Sequence, residues 1–221
     1  MTPSASSAAS SPPAAPGGAR RRGRPGYDAE QLLAVAVTVF TQRGYEGTTM
    51  DDLAGALGLS KSSIYHHVSG KKQLLGRALD RALEKLESVV EDAALSKEQA
   101  PIDRLESAVR RSVEVLVEDL PFVTLLLRVR GNSDVERSAL LRRRRIDTRF
   151  SEIVHAAQDD GQLDADLDPQ VLTRLIFGAV NSLTEWYRPG RGISPEQVAD
   201  TLSHLVFDGI RAQHHQPGDE R

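Results

Sequence analysis

Not one of the 221 residues is a cysteine. That excludes a disulfide framework, a thiolate metal site and a cysteine nucleophile together. No apolar run approaches the roughly 18 residues that a membrane-spanning helix requires, so no membrane role is expected. Residues 3 to 19 hold nothing but Ser, Ala, Pro and Gly. Such a stretch has too little apolar bulk to offset the entropy of folding and is expected to be a disordered tail. Its basic residues follow the small ones, the reverse of a secretory signal, and a cytoplasmic location fits best. No window shows the period-two alternation of a strand, so the expected fold class is all-α. What is present is 39% hydrophobic and 27% charged, the composition of a globular chain able to bury a core.

The net charge of -3 argues by itself against nucleic acid, but the charge is unevenly placed. Residues 1 to 76 carry eight bases (Arg20, Arg21, Arg22, Arg24, Arg43, Lys61, Lys71 and Lys72) against five acids, or +3, which leaves -6 for residues 77 to 221. A small anion-binding head on an acidic body follows, because fields act locally.

From Asp28 the apolar residues Leu33, Ala36, Val37 and Phe40 keep helical spacing up to Gly44. Thr49 then reads as an N-cap, with Asp51 and Asp52 in the favoured first turn and Gly58 as the stop. Ser60 caps a second short helix running from Lys61 to about Val68. Two short helices about a glycine turn make a helix-turn-helix. Beyond Gly70, Leu75, Leu79, Leu83, Leu86 and Val90 predict a long helix over 71–94. Pro101, Pro121 and Pro195 mark further helix starts, Asp168-Pro169 is an N-cap and N1 pair, and residues 134 to 160 read as one long helix.

The segment TMDDLAGALGLSKSSIYHHVSGKKQLL, from Thr49 to Leu75, resembles the DNA-binding head of TetR-type (tetracycline-repressor-like) transcription regulators. Thr49, Ala54, Gly58-Leu59-Ser60, Tyr65 and Lys71 fall on positions of that family's pattern. Val68 stands where the family usually has Phe, and Gly70-Lys71-Lys72 where Ser-Lys-Glu is common. The resemblance implies a homodimer that binds a palindromic duplex operator, represses transcription and releases DNA on binding a small-molecule effector. By position Lys61, Ser62 and Tyr65 are expected to face bases, and Thr49, Ser60, Ser63, His66, His67 and Lys71 to hold the backbone or set the helix on it. Arg20, Arg21, Arg22 and Arg24 form a basic arm suited to phosphates or a narrow minor groove. The expected organisation is a tail over 1–19, the arm over 20–26, the DNA-binding domain over 27–73, a helical effector-binding and dimerisation domain over 74–213, and a second tail over 214–221.

In the body, LLRRRRIDTRF (Leu140 to Phe150) places Arg142 about 40° from Ile146 on a helical wheel, with Arg149 about 60° away on the flank. Ile146, Phe150, Arg142, Arg149 and Trp186 are the expected ligand residues. A guanidinium on an apolar face needs an anion, either an internal carboxylate or a ligand. Arg143 and Arg144 are expected to be solvated. The region from Phe177 to Gly190 and on through Val198 is similar to the acyl-CoA-responsive subgroup, which implies an acyl-CoA thioester as effector. A hydrophobic drug or signalling molecule is the alternative. Gly178, Ala179, Ser182, Leu202, Leu205, Val206 and Gly209 are the expected dimer interface, since small residues let helices approach closely.

An enzyme is not expected, and neither is a cofactor. A phosphate loop ending at Gly70-Lys71 would need Gly at 65, where Tyr65 stands. A calcium loop starting at Asp164 would place Pro169 and Leu175 where Gly and Glu are required. His66 and His67 are adjacent, point apart on a helix and make no metal pair. His214 and His215 are read as solvent-exposed.

Overall fold

The computed structural model describes residues 29–210, so the basic arm (Arg20, Arg21, Arg22, Arg24) and both tails lie outside the described residues. Those residues form nine helices and no strand. The head is α1 (Ala29–Arg43), α2 (Met50–Leu57) and α3 (Lys61–Tyr65). The body is α4 (Lys71–Leu95), α5 (Pro101–Glu118), α6 (Leu120–Arg128), α7 (Asp134–Asp159), α8 (Pro169–Trp186) and α9 (Pro195–Ile210). None is long and apolar enough to cross a membrane.

The helix boundaries have local causes. Thr49 accepts from the Asp52 amide at 3.2 Å, while the Asp52 carboxylate accepts from the Thr49 amide at 2.8 Å, a reciprocal capping box. Gly58 ends α2 with φ 63°, a left-handed conformation that costs a residue with a Cβ. Asp168 caps α8 through the Gln170 and Val171 amides, with Pro169 at the first helical position. Between α6 and α7, Glu136 accepts from the three successive amides of Arg130, Gly131 and Asn132, so this loop is pinned from the first turn of the helix that follows it.

One apolar core runs from head to body. Leu32, Val37 and Phe40 of α1 and Leu53 of α2 are continuous with Leu75, Leu79 and Leu83 of α4. Helix α5 lies at the centre of the body, touching α4, α6, α7, α8 and α9, and α4 packs along α7. Helix α6 links the two regions directly: it packs on α1, and Arg128 donates to the Thr41 carbonyl at 2.7 Å. A second link is Asp119, fully buried between α5 and α6. It accepts from Arg81 Nε at 2.8 Å and lies 2.8 Å from Lys85 Nζ, while Arg81 also bonds Glu30 on α1 at 2.7 Å.

Candidate nucleic-acid interface and effector cavity

Helix α3 is held from beneath and open above. Ile64 and Val68 are buried at 0% and 3% exposure, which clamps the segment to the core. Lys61, Ser62, Tyr65, His66 and His67 are exposed on its other side, with Ser63 half-buried. The helix proper ends at Tyr65 rather than near Val68. His66 is its C-cap, and the amides of His67 and Val68 both close onto the Ile64 carbonyl in a tight turn. Ser60 is the N-cap, its hydroxyl accepting from the Ser63 amide at 3.2 Å and lying 2.9 Å from the hydroxyls of Ser62 and Ser63. Lys61 leans back to Asp51 at 2.7 Å, and that contact raises the lysine pKa above its ordinary value. A cation paired this way at the surface exchanges readily for a phosphate or a guanine edge.

Thr49 is exposed, but its hydroxyl donates to Asp52 at 2.6 Å as well as capping α2. This bonding is the main reason the Asp52 carboxyl lies below the usual range, with Arg43 at 2.8 Å adding to the effect. Thr49 thus fixes the start of α2, whatever it touches outside.

Lys71 departs from the expectation of a backbone contact. Its ammonium donates to the carbonyls of Tyr45, Glu46 and Thr48 at 3.0, 3.3 and 3.0 Å and lies 4.5 Å from the centre of the Tyr45 ring. All three N–H groups are thereby occupied by the loop that leads into α2. Lys71 is a positioning residue that ties this loop to the start of α4. Lys71→Met is expected to lower operator affinity about tenfold, close to the net worth of one charge-assisted bond. The slope of log affinity against log salt is expected to stay unchanged in fluorescence anisotropy over a salt series. A slope smaller by about 0.9 per head would mark a lost phosphate contact instead.

In the body a cavity of about 200 Å³ opens between α4, α5, α6, α7 and α8. Its walls are apolar, including Leu116, Val123, Leu126, Ile146, Phe177 and Val180. Arg143, Asp147, Arg174 and Asn181 are the charged and amide groups on its lining. The protein around Asp147 desolvates it and pushes its carboxyl up, against the pull of Arg143 and Arg174.

These residues are not the arginines that the sequence pointed to. Arg142 grips both Glu87 oxygens, at 2.8 and 2.6 Å, and Asp80 at 2.7 Å, and its hydrogen bonds hold the Glu87 carboxyl below the usual range. Arg149 binds both Glu91 oxygens at 3.1 Å and Glu152 at 2.6 Å. The anions that Arg142 and Arg149 need are internal, and the two residues fasten α7 to α4. Arg143, expected to be solvated, lines the cavity instead. Ile146 lines it too, whereas Phe150 is fully buried behind the wall with its ring 4.7 Å from that of Phe177. Trp186 does not reach the cavity. It is 52% exposed, its indole N–H pointing to the Ser182 hydroxyl at 3.4 Å.

Trp186 instead ends an exposed stripe on α8 made by Val171, Leu175, Gly178, Ser182 and Trp186, all on one helical face. Leu205 of α9 is 74% exposed. Of the other expected interface residues, Ala179 and Val206 are half-buried against the core. Leu202 is 8% exposed and packs inside its own chain, and the surroundings of Gly209 lie outside the description. Val171 and Leu175 escaped the sequence reading because they are ordinary helix residues; only their exposure singles them out.

Comparison with known proteins gives consistent matches. Residues 98–210 match the tetracyclin repressor-like C-terminal domain, and residues 32–78 match the bacterial regulatory proteins of the tetR family. The crystal structure of a TetR transcriptional regulator family member from Streptomyces coelicolor A3 is 50% identical, with TM-score 0.75, over 82% of this chain and 91% of that one. The HTH-type transcriptional repressor KstR2 of Mycolicibacterium smegmatis is 27% identical over 190 residues, 85% of this chain and 92% of the repressor. AibR, crystallised in complex with isovaleryl coenzyme A and operator DNA, shares the fold at 24% identity and TM-score 0.67, over 81% of this chain and 97% of AibR.

Proposed function

This chain belongs to the tetR family of bacterial regulatory proteins and is a DNA-binding transcription regulator; we propose that it is a cytoplasmic repressor which docks on a palindromic operator as a two-fold dimer and leaves it on binding an acyl-CoA thioester. The observation that carries the DNA-binding half is the outer face of α3, where Lys61, Ser62, Tyr65, His66 and His67 are exposed while Ile64 and Val68 hold the helix down. In this reading Lys61, Ser62 and Tyr65 meet base edges. The N-terminal ends of α2 and α3, at Thr49 and Ser60, face phosphates, with Ser63 and the two histidines alongside. The stripe from Val171 to Trp186, with Leu205, forms the dimer contact that spaces the two heads.

The effector half rests on the cavity and its lining. An acyl group fits apolar walls, and Arg143 and Arg174 offer positive charge to what lies outside. AibR is a protein of this fold seen with isovaleryl coenzyme A, which supports the thioester. A drug-sensing cavity would be wholly apolar or would present an unopposed acid. Asp147, flanked by two arginines, is not unopposed. Helix α6 contributes Val123 and Leu126 to the cavity and packs on α1, so occupation has a short route to the head.

The test is a thermal-shift series of the purified full chain against acyl-CoAs, free acids and neutral drugs, followed by operator release with whichever compound stabilises. Stabilisation and release by an acyl-CoA is the expected outcome. Stabilisation by a neutral drug alone would replace the effector assignment.

A further inference from the structure

Two acids stand side by side in the first turn of α2, and they are used differently. Asp52 is committed to the fold: its carboxylate accepts from the Thr49 amide and hydroxyl at 2.8 and 2.6 Å and from Arg43 at 2.8 Å. Asp51, the second residue of the helix, keeps 72% of its side chain exposed. Among the described residues its one ion-pair partner is Lys61, across the turn on α3, at 2.7 Å. The hydrogen bond from Lys61 to this carboxylate is the first cause of the raised lysine pKa, so Lys61 stays fully charged while it is tied. A carboxylate on a surface that meets phosphates opposes binding. Complementing the helix dipole does not explain it, because Asp52 already supplies an acid to the same turn.

The donor count of Lys61 shows what Asp51 can do. An ammonium has three N–H groups. One points to Asp51 and two remain, the number that a guanine edge accepts at O6 and N7. Contact with guanine therefore needs no change of partner. A lysine that swings to a phosphate instead leaves Asp51 unpaired beside the phosphate chain.

Resting on the base-reading role of α3 above, we propose that Asp51 is a specificity-determining positioning residue: it holds Lys61 toward the base edge and withholds it from the phosphates of unrelated duplex. On the operator, Asp51, Lys61 and the guanine acceptors form one chain of contacts. On unrelated duplex Lys61 has either Asp51 or a phosphate, and both arrangements attract less than an untied lysine would. The carboxylate thus costs little where the right base is present and more where it is absent, which is discrimination by a repulsive element. A single exposed pair is weak in water, so its effect lies in the difference between two complexes and not in the stability of the fold.

Asp51→Asn keeps the size of the side chain and removes its charge. The probes are the duplex that the wild-type full chain selects from a randomised pool and a scrambled duplex of the same composition, each titrated by fluorescence anisotropy over a salt series. In Asp51→Asn the affinity for the scrambled duplex is expected to rise about tenfold, in the range of one modest charge-assisted contact over the two heads. Its salt slope is expected to steepen by about 0.9 per head, the mark of a lysine that has moved to a phosphate. Affinity for the selected duplex is expected to stay within about threefold of wild type, so the specificity ratio falls. Asp51→Glu is expected to restore most of that ratio. In a Lys61→Ala background Asp51→Asn is expected to leave the ratio unchanged, since loss of the charge then helps both duplexes alike. Asp51 lies outside the capping box, and thermal melting equal to wild type checks that the fold survives. An unchanged slope and ratio in Asp51→Asn would overturn the proposal while α3 keeps its base-reading role. A fall in ratio that persists without Lys61 would overturn it as well, by making Asp51 a direct base contact. Failure of the wild type to prefer any duplex in the pool would overturn the base-reading role too.

Discussion

Tyr65→Ala is expected to lower operator affinity by roughly 30-fold to 10⁴-fold while the protein stays folded and dimeric. The side chain is 52% exposed and its helix is anchored by Ile64 and Val68, so truncation removes almost nothing from the core. A contact to a base edge is worth about 1 to 3 kcal/mol, and in a symmetric complex the loss occurs at both heads, hence about 2 to 6 kcal/mol in all. Binding to unrelated duplex depends on phosphates and is expected to change little, so the ratio of specific to non-specific affinity carries the result. Lys61→Ala is expected to act in the same direction, since it also leaves Asp51 facing the phosphates without its 2.7 Å partner. Operator affinity equal to wild type in both variants would remove α3 from the base-reading role.

Asp119→Ala is expected to cost about 2 to 3 kcal/mol of stability. Removing one partner from a wholly buried ion pair costs about 3 to 5 kcal/mol. Here Arg81 and Lys85 keep 36% and 38% of their side-chain surface exposed and can rehydrate, which reduces the figure. For a chain of this size that is a fall of roughly 4 to 12 °C in Tm by thermal denaturation. Asp119→Asn retains the shape and some of the hydrogen bonding, and is expected to lie between the two. The loss also reaches the head, because Arg81 stacks 4.2 Å from the Phe122 ring of α6 and holds Glu30 of α1. An unchanged Tm in Asp119→Ala would show that Arg81 and Lys85 do not depend on this carboxylate.

Helix starts and stops could be read from the sequence wherever a residue with a single conformational use marked them. Gly58, Pro101, Pro169 and Pro195 lie at or beside the observed boundaries. The end of α3 could not be read this way, because the chain leaves the helix through ordinary αR geometry at His66 with no Gly or Pro to signal it. The exposed face of α3 was legible from position in the helix-turn-helix, which turned Lys61, Ser62 and Tyr65 outward, and all three are exposed. The direction of Lys71 was not, because its acceptors are carbonyls of the loop at 45–48, more than 20 positions earlier.

The effector region shows the same division. A helical wheel places Arg143 and Arg149 about 60° from Ile146 on opposite flanks, and nothing local says which flank meets the cavity. The answer depends on α4, whose Asp80, Glu87 and Glu91 claim Arg142 and Arg149 and leave Arg143 on the cavity side. Trp186 was misplaced for a related reason: an aromatic at the end of an apolar helix suits a cavity or an interface equally, and only its exposure decides.

The docking of two α3 helices is tested most directly by hydroxyl-radical footprinting of the full chain on its operator. The account predicts two protected patches on one face of the duplex, centred about 34 to 36 Å apart, or one helical turn. Both patches should fade together when the effector is added. A single patch, or protection spread evenly around the duplex, would contradict it.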